Sequence, residues 1–392
     1  MSADTPLIGV INAGSSSLKF SIFEGDNCLL SGQVEGIGTS PGMRARDASG
    51  TPIQGPDLVR TPPQSPAEAL LMLLPWLREW MGGKVLEGLG HRIVHGGPRH
   101  DRPERISSTL LDELEILSPL APLHQPYNLA PARAALEQVP NLPQVACFDT
   151  AYHRTIPQVS QVFALPLALA EEGIHRYGFH GLSYEYIASV LPKAAPDIAD
   201  GRVVVAHLGN GASLCAMRSG RSVATTMGFS ALDGLPMGTR CGELDPAVVL
   251  HLLRHKGMDP TAVEDLLYRK SGMLGLSGIS SDFRSLLESS DPRARFALDV
   301  FIHRVIRGIG SLAAALGGID GIVFTAGVGE NAAPIRAAIC ESCAWLGLEL
   351  DPEANTAHGS RISEPRSRVS AHVIPTDENR MIARHTQDVL TR

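Results

Sequence analysis

The chain has 392 residues, of which 44% are hydrophobic and 19% charged, and its net charge is −7. This length exceeds what one ordinary hydrophobic core supports, so two domains are expected. The acidic balance gives no electrostatic reason to expect a nucleic acid or an anionic membrane as partner, although local positive charge can still serve a small anion.

The N-terminal stretch and the cysteines bear on the cellular compartment. The first ten residues, MSADTPLIGV, lack the basic segment and the long apolar run of a signal peptide. No window approaches the ~20 apolar residues of a membrane span. Six cysteines in so long a chain do not make a disulfide framework. Cys340 and Cys343 form a CxxC pair, which we interpret as two small buried residues on a helix rather than a redox motif. We therefore expect a reduced, cytoplasmic protein.

The first elements along the chain are predicted to be strands. Residues 8–23, IGVINAGSSSLKFSIF, have the pattern of a strand, a turn of small polar residues and a second strand. A proline-rich loop is expected over 51–66, then a helix over 67–81 in which Pro75 should cause a kink or a break. A strand running into a glycine turn (86–97), two helical patterns (110–124 and 129–139) and a strand with a polar turn (144–153) follow.

The second half begins in the same way. Residues 202–223, RVVVAHLGNGASLCAMRSGRSV, again predict a strand, a small-residue turn and a strand, and a shift of 196 positions superposes Ser17–Leu18 on Ser213–Leu214. Helices are predicted at 246–256, 262–268 and 292–316, and a strand, a glycine turn and a helix at 318–341. This alternation predicts an α/β fold. We expect an N-terminal domain over 1–150, with a C-terminal helix at 385–392 packing back on it, and a C-terminal domain over 151–384.

Two glycine-rich turns suit phosphate binding. The chain has no GxxxxGK[ST] and is therefore not a P-loop protein. In NAGSSSLK (12–19) and HLGNGAS (207–213), however, glycines allow close backbone approach and hydroxyls add donors. Each alone could be an ordinary hairpin turn, but the two together, with Lys19 beside the first, favour phosphate binding.

A third glycine stretch leaves two interpretations open. GVGENA (327–332) fits GxGxxA after a strand, and Asp351 lies 22 residues beyond Gly329, where a dinucleotide fold places its ribose-binding acid. An NAD-dependent oxidoreductase and an adenosine-binding turn at a helix N-terminus both fit this pattern.

Other motifs point away from hydrolysis and zinc chemistry. An HGG at 95–97 resembles an esterase oxyanion loop, but GxSxG is absent, so a serine hydrolase is not expected. His251 and His255 lie four apart without HExxH or an evident third ligand, so we expect no metal site there. Charged side chains instead recur at strand ends and in glycine turns, where functional residues are common, namely Arg92, His124, Asp149, His180 and Arg240.

Ten segments, in order and spread over nearly the whole chain, resemble the blocks of the acetate kinase family, of the superfold shared with sugar kinases and actin. They are VINAGSSSLKF, GHRIVHGG, APLHQP, FDTAYH, YGFHGLSY, AHLGNGASL, MGFSALDGLPMGTR, GISSDFR, FTAGVGENA and IPTDE. The resemblance implies two actin-like, ribonuclease H-like α/β domains of duplicated topology with an interdomain cleft. It also implies that the C-terminal domain over 151–384 binds the nucleotide and forms a homodimer. The implied reaction is the reversible, Mg²⁺-dependent transfer of a phosphoryl group from ATP to acetate, giving acetyl phosphate and ADP.

The resemblance also assigns roles to residues. It implies that Asn12 and Glu378 hold Mg²⁺, with Mn²⁺ as an alternative, and that Asp149, His180 and Arg240 are catalytic. The acetate-binding residues would be Arg92, Val94, Leu123, His124 and Phe179. The ATP-binding residues would be Lys19, His207, Leu208, Gly209, Asn210, Gly211, Asp282, Phe283, Arg284, Gly327, Val328, Gly329, Glu330 and Asn331.

The chemistry of the acceptor agrees with these roles. A carboxylate with a pKa of about 4 is ionised at neutral pH and needs no base, so we interpret Asp149 as an orienting or metal-linked group. The obstacle is the approach of an anion to a polyphosphate, which cations and positioning overcome.

Two positions depart from the family pattern. Ala231 stands where the family commonly has proline, which leaves propionate as an alternative acceptor, although Val94 argues against a preference for it. The neighbours of Glu378 also differ from the family pattern, which leaves the choice between Mg²⁺ and Mn²⁺ open. An actin-like assembly or chaperone protein is a rival of another class, but it would have no use for Arg92 and Arg240.

Overall fold

The computed structural model describes residues 6–392; the first five residues, part of the expected N-terminal domain and of the segment searched for a signal peptide, lie outside them. The chain forms two compact units. The first contains the chain up to Ala151 together with Gly181–Tyr186 and Asp377–Arg392. The second contains Tyr152–His180 and Ile187–Thr376.

The first unit is built on a seven-stranded mixed sheet. Its strands are β1 (Leu7–Ala13), β2 (Ser17–Glu24), β3 (Asn27–Glu35), β4 (Gly42–Asp47), β5 (Leu86–Ile93), β6 (Glu104–Arg105) and β7 (Gln144–Phe148). Their order is β4-β3-β2-β1-β5-β7-β6. The first four strands are antiparallel, whereas β5 pairs parallel to β1, and β7 parallel to β5. The carboxyl ends of β1, β5 and β7 therefore meet at one edge.

Helices pack on this sheet. They are α1 (Pro66–Trp80), α2 (Ser108–Glu115) and α3 (Gln125–Gln138), with α15 (Glu378–Thr391) at the end of the chain. Pro75 lies inside the continuous helix α1, so the alternative of a break at this proline was wrong. The buried side chains Leu70, Leu73 and Leu77 join the core, and this packing outweighs the backbone hydrogen bond that Pro75 lacks.

Helix α15 packs against the β1–β5–β7 part of the sheet. Its buried Met381 and Ile382 share a core cluster with Val10 on β1. A Cβ at Gly90 on β5 would collide with Ile382 and Thr386, so the glycine allows the helix to approach closely. The expected division placed 377–384 in the second domain, but these residues include the first turns of this one continuous helix and belong to the first unit.

The second unit is built on a five-stranded sheet with a related topology. Its strands are β8 (Arg202–Leu208), β9 (Ala212–Arg218), β10 (Arg221–Thr225), β11 (Gly321–Thr325) and β12 (Ser370–Val373), in the order β10-β9-β8-β11-β12. As in the β3-β2-β1-β5-β7 part of the first sheet, three antiparallel strands are followed by two parallel ones. The predicted α/β fold and both predicted hairpins are confirmed.

Most helices belong to the second unit. They are α4 (Gln158–Gln161), α5 (Leu167–Glu171), α6 (Gly181–Ala194, which begins in the first unit), α7 (Pro246–Arg254), α8 (Pro260–Arg269), α9 (Gly272–Ser277), α10 (Phe283–Glu288), α11 (Pro292–Leu316), α12 (Ala326–Asn331), α13 (Ala333–Ser342) and α14 (Pro352–Thr356). Helix α11 has the predicted bounds, because Asp291 caps its start and the left-handed Gly317 ends it. Within residues 6–392, no helix has the length and apolarity that crossing a membrane requires.

The third glycine stretch differs from its prediction. Residues 326–331 form the short helix α12 rather than a turn. Asp351 accepts a hydrogen bond from the Ala354 amide at 2.9 Å and so caps α14. The Asp351 carboxylate therefore caps a helix and is not the ribose-binding acid that the dinucleotide-binding interpretation requires. Cys340 and Cys343 are buried free thiols, and burial raises the pKa of Cys343 to about 11.

Candidate active site

Four polar side chains form a continuous hydrogen-bonded chain in the first unit. Arg92 Nε and Nη2 donate to Asp149 Oδ2 at 3.0 and 2.5 Å, and Arg92 Nη1 donates to Asn12 Oδ1 at 3.3 Å. Asn12 Nδ2 in turn donates to Glu378 Oε2 at 3.2 Å. Asn12, Arg92 and Asp149 lie at the ends of the parallel strands β1, β5 and β7, and Glu378 begins α15. The topology therefore brings together four residues that are far apart in sequence.

The charges of this cluster are set by burial and by proximity. Burial raises the pKa of Asp149 to about 6, against the lowering effect of Arg92, and the nearby Glu378 charge raises it further. Burial lowers the pKa of Arg92, but the charges of Asp149 and Glu378 outweigh it and hold that pKa above its ordinary value. Both groups are therefore ionised at neutral pH. Arg92 has five N–H donors and three are used within the cluster, so two can bind an anion.

The cluster also offers oxygen ligands to a divalent cation. Among residues 6–392, Asp149 Oδ1 is buried and lacks a hydrogen-bond partner, and the Glu378 carboxylate and the Asn12 amide oxygen lie in the same chain of contacts. Over the same residues, no group of three or more His, Cys, Asp and Glu side chains could hold a metal by itself. An ion bound with nucleotide phosphates needs only one or two carboxylates, so the donor set fits Mg²⁺ or Mn²⁺.

Beside the cluster, Asn128 is a buried residue that the sequence analysis missed. Its Nδ2 donates to Ala13 O at 2.6 Å, and its Oδ1 accepts from the Val94 amide at 2.9 Å. Asn128 thereby links Ala13, the residue after Asn12, to Val94, which lies two residues after Arg92. The sequence feature that could have identified Asn128 is its amide side chain on the buried face of α3, a helix that begins directly after Leu123 and His124.

In the second unit, His180 and Arg240 face the glycine turn between β8 and β9. A Cβ at Gly211 would lie 2.8 Å from Arg240 Nη2 and 3.1 Å from His180 Nε2. The His180 ring stacks on His207 with 4.2 Å between ring centroids, and its Nδ1 lies 2.8 Å from Ser213 Oγ. The structure therefore brings these sequence-predicted residues together around one turn.

A cavity of about 590 Å³ lies in the second unit, within the size range of small-molecule sites. Phe283, which lines it, packs edge-on against Phe301 at 4.7 Å. Asp282, another lining residue, caps α10 and pairs with Arg284 at 2.6 Å. Its walls include eight of the predicted ATP-binding residues, which are Gly209, Asn210, Asp282, Phe283, Arg284, Gly327, Val328 and Asn331.

The remaining predicted site residues lie elsewhere. Lys19 is in the first unit, on β2 opposite Asn12. Leu208 is buried at the end of β8, Phe179 is buried in the second unit, and Gly329 is buried within α12. Glu330 does not line the cavity; its carboxylate instead accepts hydrogen bonds from main-chain amides.

Residues of a glycine turn line a cavity of small-molecule size, and a histidine and an arginine face the same turn. Together with the arginine–carboxylate cluster, this arrangement indicates a phosphotransferase for small anions. Comparison with known proteins agrees. The model of the Acetokinase family matches residues 7–384, so this chain belongs to that family. It is therefore a phosphotransferase with a carboxyl group as acceptor, which uses ATP and a divalent metal ion.

Similar proteins span the same length. The chain is 52% identical to an acetate kinase of Nitrobacter hamburgensis, over 97% of this chain and 95% of the relative. It is 52% identical to one of Rhizobium meliloti, over 96% of each. Among solved structures, acetate kinase of Porphyromonas gingivalis (34% identity, TM-score 0.85) and a propionate kinase of Francisella tularensis (34%, TM-score 0.90) each match 98% of this chain and 100% of their own.

Proposed function

We propose that this protein is an acetate kinase, which transfers the γ-phosphoryl group of ATP directly and reversibly to acetate. The observation that carries the proposal is the Arg92 guanidinium, held by the buried Asp149 with two N–H donors left for an anion. A planar guanidinium matches a carboxylate by two parallel hydrogen bonds. Val94, Leu123, His124 and Phe179 are the proposed surroundings of the acetate.

The reaction needs positioning more than proton transfer. An ionised acetate oxygen forms a bond to the γ-phosphorus while the bond from that phosphorus to the β–γ bridging oxygen breaks, and ADP leaves with the electron pair. No proton has to be removed from the acceptor. We assign to Asp149 the orientation of Arg92 through Oδ2, and to Arg92 the delivery of the carboxylate.

The transferred group carries charge on its three outer oxygens, which calls for fixed donors. We assign this role to His180 and Arg240, because both face the Gly211 turn. Ser213, bonded to His180 Nδ1, holds the ring so that Nε2 faces the turn. The adenosine end is assigned to the cavity bounded by Phe283 and α12.

Asn12, Asp149 and Glu378 would hold the divalent ion, which we propose to be Mg²⁺, with Mn²⁺ able to replace it. When bound, the ion neutralises phosphate charge. We also propose a homodimer and a cytoplasmic location, where ATP and acetyl phosphate are exchanged. Both follow from the resemblance and neither nucleic acid nor membrane enters the proposal.

Ala231 bears on the choice of acceptor. It is buried, and its carbonyl accepts from Arg240 Nη1 at 2.7 Å. Its methyl group is smaller than the proline ring of the family pattern, which favours some tolerance of propionate. One extra methylene is worth about 1–3 kcal/mol of discrimination, so we expect acetate to be preferred about tenfold or more over propionate.

The proposal is tested by trapping acyl phosphate with hydroxylamine, with ATP, Mg²⁺ and a series of acetate, propionate and butyrate. Hydroxamate should form fastest with acetate and should require both ATP and metal. Product with propionate or butyrate alone would overturn the substrate but keep the reaction. Absence of product with every carboxylate would overturn the proposed function.

A further inference from the structure

The carboxylate of Glu330, in the cavity helix α12, binds main-chain amides at both ends of a long chain segment. Its Oε1 accepts from the Ala326 amide at 2.8 Å and from the Thr376 amide at 3.1 Å. Thr325 Oγ1 lies 3.5 Å from the same oxygen. The side chain therefore joins the first residue of α12 to a residue 46 positions beyond Glu330.

The second of these amides lies at a decisive place in the chain. Thr376 is the last residue of the second unit, and Asp377 caps α15 by accepting from the Arg380 amide at 3.0 Å. Glu378, the next residue, bonds Asn12 at 3.2 Å. Two residues span at most about 7 Å of extended chain. Because this connection is short, a displacement of Thr376 also affects the position of Glu378.

The other end of the link is rigid as well. Arg336 is fully buried, and its Nη1 donates to the carbonyls of Gly329 and Glu330 at 2.9 and 2.8 Å. Ala326 adopts a left-handed φ of +64°, a strained conformation that a residue with a Cβ keeps only where its surroundings hold it. Helix α12 is therefore a fixed element with residues such as Gly327 and Val328 on the cavity wall.

We propose that Glu330 is a positioning residue that couples the nucleotide-cavity helix to the metal ligand Glu378, rather than a contact to the nucleotide. The inference rests on the proposed function for the role of Glu378. It makes nucleotide binding and metal binding reciprocally linked: whatever fixes α12 also fixes the residue that precedes Glu378 by two positions.

The test compares Glu330→Ala with Glu330→Gln, whose amide oxygen can still accept from both main-chain amides. Two measurements need no turnover: hydrogen–deuterium exchange of the peptide around Thr376, and Mn²⁺ binding in the presence of saturating ADP, by electron paramagnetic resonance. In Glu330→Ala, exchange at Thr376 should accelerate and Mn²⁺ should bind about tenfold more weakly. The KM for acetate should stay within about twofold, because Arg92 and Asp149 are untouched. Glu330→Gln should restore both properties to near the wild-type values.

Several results would overturn the proposal. One is unchanged exchange and Mn²⁺ binding in Glu330→Ala. Another is a Glu330→Gln variant as defective as Glu330→Ala in binding ADP without metal, since a direct nucleotide contact would produce that loss. If Glu330→Ala does not fold, Glu330→Asp, one methylene too short, should show the same two defects to a smaller degree, and wild-type behaviour would contradict the proposal. Wild-type enzyme that makes no acyl phosphate would refute the proposed function, whereas exchange at Thr376 tests the link by itself.

Discussion

Replacing Asp149 by asparagine should stabilise the fold while it lowers the catalytic rate by about 100-fold or more. The carboxylate is fully buried, and burial raises its pKa from 3.8 to about 6 in spite of the bond to Arg92. A shift of about 2 units corresponds to about 3 kcal/mol, by which the ionised form is less favourable in the folded chain than in the unfolded chain. An amide of the same shape does not ionise, so we expect the variant to gain up to about 3 kcal/mol at pH 8.

The pH dependence identifies the cause. The folded pKa is raised, so this group's contribution to stability is fully present below pH 3.8 and is lost as the pH rises through about 6. At pH 5 the folded carboxyl is mostly protonated while the unfolded one is mostly ionised. The advantage of Asp149→Asn should therefore fall to about half of its value at pH 8.

Urea unfolding of both proteins at pH 5 and pH 8 measures the difference, and the hydroxamate assay measures activity. We expect kcat to fall about 100-fold or more, because the positioning of Arg92 and of the metal in the transition state depends on this charge. The KM for acetate should change far less, because the Arg92 guanidinium and its donors remain. A variant less stable than wild type at pH 8 would refute the reasoning, since the attraction of Arg92 would then exceed the cost of burial. A change in KM alone would refute the orienting role.

Three further variants test other parts of the site. Arg92→Lys should raise the KM for acetate about tenfold or more, because a point charge cannot form two parallel hydrogen bonds; an unchanged KM in the hydroxamate assay would contradict it. Gly211→Ala should lower kcat at least about tenfold at an unchanged melting temperature, because its Cβ would lie 2.8 Å from Arg240 Nη2; full activity would remove Arg240 from the turn. Arg336→Met should cost about 3 kcal/mol and weaken ADP binding, measured by thermal unfolding and calorimetry, since it leaves buried carbonyls unpaired; unaltered binding would show that Arg336 does not support α12.

Local patterns in the sequence determined a large part of this protein. The alternation of apolar and polar residues predicted the hairpins at 8–23 and 202–223, and an aspartate with proline at its start and glycine at its end set the bounds of α11. The ten ordered segments, among them those around Asn12, Arg92 and His207, were enough to identify the family, because each is a short stretch of consecutive residues. Strand patterns, helix caps and short motifs can be recognised in the sequence, because the interactions that cause them join residues only a few positions apart.

The tertiary structure decided what depends on distant partners. The pKa of Asp149 is raised because the residue is buried at the end of β7, beside Arg92 of β5. The local sequence FDTAYH does not show this burial. Glu330 reads as a nucleotide ligand in GVGENA, yet its carboxylate holds the amide of Thr376, 46 residues later. Asp351 and Asn128 likewise take their roles from a helix end and from two strand ends. A side chain's role is set by the donors and acceptors that folding places within about 3 Å of it, and those are fixed only when the sheets and helices pack.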